Sequence, residues 1–386
     1  MKKIIIIIIS IVFSFNQYII ASDEIKELPN MKSETYILMD QLTGKVLAGK
    51  DINKVMSPAS LTKIMTAYVI FREIEKGNTS KDSLVNISKN AMLTARRTDS
   101  ARTFLEVRDK VTVNEVLTGL LVQSGNDAAI ALAEHISGTE EDFSKLMTKY
   151  ANNELGMINS KFHNASGLPI NDHYTTAYDM ATLVKAIVDR FPKEYAYYFS
   201  MKGFSYNEIY QPNRNKLLFR NEFIDGVKTG WHTKAGYCYA SSIFKDGRRL
   251  IMITFNADEP EYRFDDALTL ADYGYKYFDN FELVNSKSKI KGLSKIPLYK
   301  SDKNFTEIFP KENIILTLKK EDRKNIRAEV EIEKYLVAPV KINTKVGKVS
   351  FFLNDELIAE TDLITKEDIL LGNWKNILVD HIALNF

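Results

Sequence analysis

Residues 57–77, SPASLTKIMTAYVIFREIEKG, decide how this chain is read. Ser57-Pro58 supplies a helix cap followed by proline at the first helical position, the residues from Leu61 on keep a helical period, and Gly77 closes the run. The segment predicts a helix with Ser60 and Lys63 together in its first turn. Upstream, Glu34–Lys50, ETYILMDQLTGKVLAGK, reads as two strands joined at Thr43-Gly44. Downstream, Thr112 and Glu115 form a capping-box pattern before VLTGLLVQ, and after a break at Ser124-Gly125-Asn126 another helix runs through DAAIALAEHIS to Gly138. Further helices are expected over 140–155 and 176–190. Beyond Lys228 the strands GYCYASSIF and RRLIMITFNA are separated by the hairpin pair Asp246-Gly247. The economical arrangement is an α+β domain whose one antiparallel sheet takes strands from both ends, with the helices packed against it.

The chain has 386 residues, a length for two or three domains. Lysines 287, 289, 291 and 295 sit among small polar residues and read as a linker near residue 280. From Ile296 to Ile369, short β-type segments such as NIILTLK, RAEVEIE and KVSFFLN predict a small all-β domain. Trp374–Phe386 is weakly amphipathic, with Asn376 and Asp380 on one side. Lys2-Lys3, the apolar stretch Ile4–Phe15 and the small residues at Ala21-Ser22 have the layout of a secretory signal, the alternative being an uncleaved anchor. The charge, 52 basic against 50 acidic residues, excludes a nucleic-acid-coating protein; cleavage near Ala21 would leave 50 against 50. A single cysteine, Cys238, excludes an intramolecular disulfide. It alternates with tyrosines in a strand and reads as core. The five histidines show no metal-ligand spacing such as H-E-x-x-H, so no metal and no cofactor are expected.

Three short motifs carry chemistry: Ser60-Leu61-Thr62-Lys63, Ser124-Gly125-Asn126 and Lys228-Thr229-Gly230. A serine hydroxyl needs a neighbouring base. Lysine serves only if its ammonium is destabilised by desolvation or by another cation, a field to which Lys228 would contribute. The helix start adds backbone N–H groups for a developing oxyanion. The turn at Ser124 offers a second hydroxyl and the Asn126 amide, and Gly226 and Gly230 leave a strand bare enough for an extended peptide to lie alongside. Singly, each motif also reads as ordinary caps and turns. Ser-x-x-Lys recurs at Ser242/Lys245 and Ser286/Lys289, and only the three motifs in this order set the first apart.

With the blocks SPASLTKIMTAYVI, LLVQSGNDAAIALAE, NASGL, NRNKLL and DGVKTGWHTKAGYCYAS, the chain resembles the low-molecular-mass penicillin-binding proteins, serine D-alanyl-D-alanine carboxypeptidases. The resemblance implies a serine β-lactamase/transpeptidase-like α+β fold followed by a small all-β domain. It divides the chain into a signal segment 1–22, a catalytic domain 23–280, a β-sandwich-like domain 281–371 and a candidate amphipathic membrane anchor 372–386. It implies Ser60 as nucleophile, Lys63 as base and Ser124 as proton relay. Asn126, Lys228, Thr229, Gly230, Arg214 and Trp231 would bind a stem peptide ending in D-Ala-D-Ala, the Ser60 and Trp231 N–H groups forming the oxyanion hole. β-lactams would be covalent inhibitors. The expected location is the periplasm, peripheral to the outer face of the cytoplasmic membrane. Gly125 favours carboxypeptidases over class A β-lactamases, which usually carry Asp there. The family often has a small or polar residue or His directly after the KTG triplet; here Trp231 comes first and His232 second. Residues 94–103, with Arg96, Arg97 and Arg102, fall where the family has a loop edging the cleft, and Asp179 falls near the site. A β-lactamase, a D,D-endopeptidase and a slowly deacylating penicillin receptor remain alternatives.

Overall fold

The computed structural model describes residues 4–9, 28, 30–98, 100–290 and 295–385. The expected signal segment lies outside the described residues except for the backbone of Ile4–Ile9, an edge strand antiparallel to Ile326–Glu333. The chain divides into two compact units, the first ending at Lys276 and the second taking the residues from Tyr277 on together with the strand Ile4–Ile9.

In the first unit, β1 (Ser33–Asp40) and β2 (Val46–Lys50) join β3 (Ile224–His232), β4 (Gly236–Lys245) and β5 (Arg248–Ala257) in one antiparallel sheet of order β2-β1-β5-β4-β3. Both ends of the domain thus supply strands, as the pattern predicts. β1 and β5 are central and buried on both faces, which is why they read as apolar runs rather than alternations. Ile37, Met39, Ile251 and Ile253 face the helices. Leu38 and Leu250 face the opposite way, onto Gly274 of the helix Tyr262–Tyr277. Among the described residues β3 pairs only with β4, which leaves its outer edge open.

The longer helices of this unit are α1 (Thr62–Glu75), α2 (Lys89–Arg97), α3 (Val113–Val122), α4 (Asn126–Ser137), α5 (Glu140–Glu154), α6 (Ala177–Arg190) and α7 (Tyr262–Tyr277). The capping box is present: the Thr112 hydroxyl accepts from Glu115 N, and the Glu115 carboxylate accepts from Thr112 N. The start of α1 differs from expectation. Ala59 takes φ +46°, so Ser57 does not cap, and a 3₁₀ turn, Ala59–Leu61, precedes the α-helix. Ser60 therefore lies in that turn and Lys63 in the first turn of α1. The separation of three still leaves both side chains on one side of the helix start. α2 occupies the first part of the stretch expected to be a loop, capped by Ser88, whose side chain accepts from Ala91 N.

The second unit opens with the strand Phe278–Val284, paired with Ile314–Lys319. The lysine-rich stretch from 287, as far as it is described, therefore lies inside this unit instead of bridging two. A larger sheet orders Ile4–Ile9, Ile326–Glu333, Lys345–Leu353, Glu356–Thr365, Phe305–Pro310, Lys295–Tyr299 and Leu336–Val337. Phe281, Ile314 and Leu318 share a core with Ile308, Val349 and Leu363, so two unequal sheets enclose one apolar layer. The last helix, α8 (Trp374–Asn385), meets the loop at residues 300–302 by its polar side: Asn376 Nδ2 donates to Asp302 Oδ1 at 3.0 Å, and Asp380 accepts from Lys300 N. Trp374, Leu378, Val379 and Ile382 remain exposed.

Candidate active site

Lys63 is fully buried in the first unit. Its Nζ lies 3.0 Å from Ser60 Oγ, 2.7 Å from Asn126 Oδ1 and 2.6 Å from the Ser166 carbonyl oxygen. Burial, and then the positive charge of Arg214, push its pKa down to about 7. Arg214 is thus the principal cation acting on Lys63, a role the sequence did not give it. Lys228 is itself buried and pushed well below the ordinary lysine range by desolvation, then by Lys63, Arg214 and Arg263.

The surrounding backbone holds this arrangement. The Ser166 carbonyl is presented by a turn in which Asn164 Oδ1 accepts from Gly167 N at 2.7 Å, while Glu140 Oε1 accepts from Ala165 N at 2.9 Å. Gly167 sits at φ +81°, and a Cβ there would lie 1.8 Å from the Ala59 carbonyl oxygen, so only glycine fits against the Ser60 turn. Asn126 N donates to Ala101 O at 2.8 Å, and its Nδ2 donates to Ser100 Oγ at 2.7 Å. Before it, a Cβ on Gly125 would come within 2.1 Å of Thr103 Oγ1 and 2.7 Å of Asp127 Oδ1, which leaves no room for the aspartate of class A β-lactamases. Ser124 takes φ +68°, and its buried Oγ has no hydrogen-bond partner among the described residues.

Ser60, Ser124, Asn126, Arg214, Thr229, Gly230 and Trp231 all line one cleft of about 940 Å³. Lys63 and Lys228 lie buried beneath it. The KTG triplet falls inside β3, at the open edge of the sheet. Arg214 Nε donates to Gln123 O at 2.9 Å and Gln123 Oε1 at 2.7 Å, and its guanidinium borders the cleft. Trp231 is 55% exposed and stacks on Tyr237 with ring centroids 5.8 Å apart.

Sequence reasoning missed Arg263 and the Ser166 carbonyl. Arg263, from α7, lines the cleft and donates from Nη1 to Gly230 O at 3.0 Å, bracing the strand edge from behind. A lone arginine at a helix start has no motif, and a backbone carbonyl has no side-chain signature. Arg96 pairs with Glu106, the Arg102 guanidinium lies 5.6 Å from the Phe104 ring, and among the described lining residues this region contributes Thr98, Ser100 and Ala101 instead. Asp179 is buried in the first turn of α6, which Thr176 caps; its carboxylate accepts from Ser160 Oγ at 2.6 Å and Asn159 N at 3.1 Å, and it does not line the cleft. Ser242 and Lys245, the competing Ser-x-x-Lys pair, lie in β4, where a separation of three puts them on opposite faces. Cys238 is fully buried in the same strand; its Sγ donates to Ala235 O at 3.4 Å, and burial pushes the thiol up to about 12. Among the described residues no group of three or more His, Cys, Asp or Glu is placed to hold a metal ion.

Two family profiles match: D-alanyl-D-alanine carboxypeptidase over residues 22–259 and Penicillin-binding protein 5, C-terminal domain, over 278–370. The chain is 33% identical over 378 residues to the D-alanyl-D-alanine carboxypeptidase DacC of Escherichia coli (strain K12), covering 97% of this chain and 93% of that protein. The crystal structure of penicillin binding protein 5 from Haemophilus influenzae is similar with a TM-score of 0.76 and 32% identity, over 90% of this chain and 99% of that one. Penicillin-Binding Protein D2 from Listeria monocytogenes, solved in an ampicillin-bound form, is 26% identical with a TM-score of 0.58, over 64% of this chain and 100% of that one.

Proposed function

The chain belongs to the D-alanyl-D-alanine carboxypeptidase family, and on that premise we propose that Ser60 attacks the carbonyl joining the two terminal D-alanines of a peptidoglycan stem peptide. The protein is a serine-type hydrolase of peptidoglycan metabolism and binds penicillins.

The hydrogen bonding of Lys63 carries the residue assignment. A neutral amine has two N–H groups and one lone pair. Asn126 Oδ1 and the Ser166 carbonyl can only accept, so they take both hydrogens and leave the lone pair directed at Ser60 Oγ, 3.0 Å away. With a pKa of about 7, much of Lys63 is in this basic form at neutral pH. Ser60 passes its proton to Lys63 as the Oγ–C bond forms, and the oxyanion is held by the N–H groups of Ser60 and Trp231. Ser124, whose buried hydroxyl is otherwise unengaged, relays the proton to the leaving nitrogen, the C–N bond breaks, and D-alanine departs. Asn126 and the β3 edge at Gly230 hold the peptide backbone; Thr229 and Arg214 hold the terminal carboxylate, while Lys228, buried with its Nζ 3.3 Å from the Thr229 carbonyl oxygen, shapes the field of the site. Water then hydrolyses the acyl-enzyme. A β-lactam follows the same acylation but keeps its leaving nitrogen tethered.

The test is to incubate the protein with a pentapeptide ending in D-Ala-D-Ala and, separately, with a fluorescent penicillin. Stoichiometric release of free D-alanine with a covalent penicillin adduct is expected. Labelling without D-alanine release identifies a receptor, rapid penicillin turnover a β-lactamase, and cleavage confined to cross-linked dimers an endopeptidase.

Catalysis is assigned to residues 23–280, and 281–371 to a domain that carries the C-terminal segment. We place the protein in the periplasm, with residues 372–386 in the interface of the cytoplasmic membrane. The signal layout and the division of α8 into a docked polar side and an exposed apolar side support this; no helix among the described residues is long and apolar enough to cross a membrane. One short helix gives weak, reversible binding. The Leu378→Glu, Ile382→Glu double variant is therefore expected to lose most co-sedimentation with anionic phospholipid vesicles while retaining D-alanine release. Unchanged sedimentation would remove the anchor assignment.

A further inference from the structure

The open edge of β3 and the turn bearing Ser60 approach closely: a Cβ on Gly230 would lie 3.1 Å from Pro58 O and 3.2 Å from Ser60 N. Two residues further along, strand alternation turns His232 to the same face as Gly230. Its Nε2 lies 3.0 Å from Ser57 Oγ. The other ring nitrogen is committed: Nδ1 accepts from Lys234 N at 3.2 Å and from Ala235 N at 3.1 Å. A neutral imidazole has one N–H, so with Nδ1 accepting, the hydrogen resides on Nε2 and is donated to Ser57 Oγ. Burial, and then Lys234, hold His232 below the ordinary histidine range, which keeps the ring neutral at pH 7. The turn after β3 thus selects the tautomer that reaches across to the segment before the nucleophile.

We propose that the His232–Ser57 hydrogen bond is a clasp that fixes the gap between the β3 edge and the Ser60 turn, making His232 a positioning residue for acylation. The two backbone donors assigned to the oxyanion come from the two segments it joins, Ser60 three residues after Ser57 and Trp231 immediately before His232. A shift in the gap re-aims both donors at once. The clasp depends on histidine standing second after KTG, the position at which this sequence departs from the order common in the family. It belongs to this chain rather than to the shared triplets. The inference rests on Ser60 as the nucleophile, and labelling of Ser60→Ala by penicillin would expose a failure of that reading separately.

The experiment is a double-mutant cycle on the whole protein with Ser57→Ala and His232→Asn, following acylation by a penicillin in single turnover. Asparagine at 232 retains an acceptor for the turn N–H groups without reaching Ser57. Each single variant is expected to acylate about tenfold more slowly through misaligned donors, with the dissociation constant of the non-covalent complex unchanged and the double variant no slower than the slower single. Effects that multiply in the double variant, or singles that acylate at the wild-type rate, overturn the clasp. Ser57→Ala removes only a hydroxyl, so it remains decisive if His232→Asn folds poorly. Nitrogen-15 shifts of His232 at pH 7 should show a bare Nδ1 and a protonated Nε2; the opposite tautomer is incompatible with the proposal.

Discussion

Replacing Ser60 with alanine is expected to abolish D-alanine release and covalent labelling by penicillin together, a loss on the order of 10⁴-fold or more, because the acyl-enzyme has no other oxygen on which to form. Ser124 is not a substitute, since no base is hydrogen-bonded to its hydroxyl among the described residues, whereas Lys63 Nζ lies 3.0 Å from Ser60 Oγ. The Ser60 side chain borders the cleft and is only half-buried, so its loss opens no cavity in the core. The melting temperature should therefore stay near that of the wild type, and binding of the intact peptide should persist. Mass spectrometry after penicillin treatment gives a direct readout: an adduct on the wild type and none on the variant. An adduct that survives in Ser60→Ala transfers the nucleophile to another residue.

Lys63→Met should separate activity from stability. Loss of the base is expected to lower acylation on the order of 10³-fold. In the wild type the acylation rate should rise with pH through a limb near 7, as the buried ammonium loses its proton; that limb disappears in the variant. Stability responds to the same proton. The folded protein releases it near pH 7, whereas the unfolded chain holds it to about the ordinary lysine value of 10.5, so over that interval the unfolded state binds more protons and stability increases with pH. The Lys63 contribution is on the order of 1.4 kcal/mol per pH unit above 7. Denaturant unfolding at pH 6 and pH 8.5 should show wild type gaining on Lys63→Met as pH rises. An equal response in both proteins would mean that Lys63 is not buried as a depressed base.

Local signals in the sequence led to much of this molecule. Thr112 and Glu115 satisfy each other within one turn, Asp246-Gly247 closes a hairpin, and Gly77 and Gly138 terminate helices, each requiring only neighbours in the chain. The Ser60–Lys63 pair was legible because three residues of separation nearly determine their contact. Interactions between residues far apart in the chain were not: Arg263 reaching Gly230, Arg214 acting on Lys63, and Ser166 supplying a carbonyl depend on tertiary placement. The start of α1 was misread because Ser-Pro is a good cap locally, while packing against Gly167 and β3 holds Ala59 at positive φ and delays the helix to Thr62. α2 was missed although Ser88 offered a cap, since the arginines and threonines beyond it dilute the apolar period.

Cys238 has a practical consequence for studying the protein outside the cell. Its thiol is wholly enclosed in β4 and, with a pKa pushed up to about 12, supplies almost no thiolate at working pH. Maleimides, spin labels and peroxide all need an accessible thiolate, so the natural chain acts as a silent background for them. A single cysteine introduced on α8 or at the cleft rim can then carry a fluorophore or a paramagnetic probe without first removing the native one, and bilayer contact or cleft motion can be followed in an otherwise unaltered enzyme.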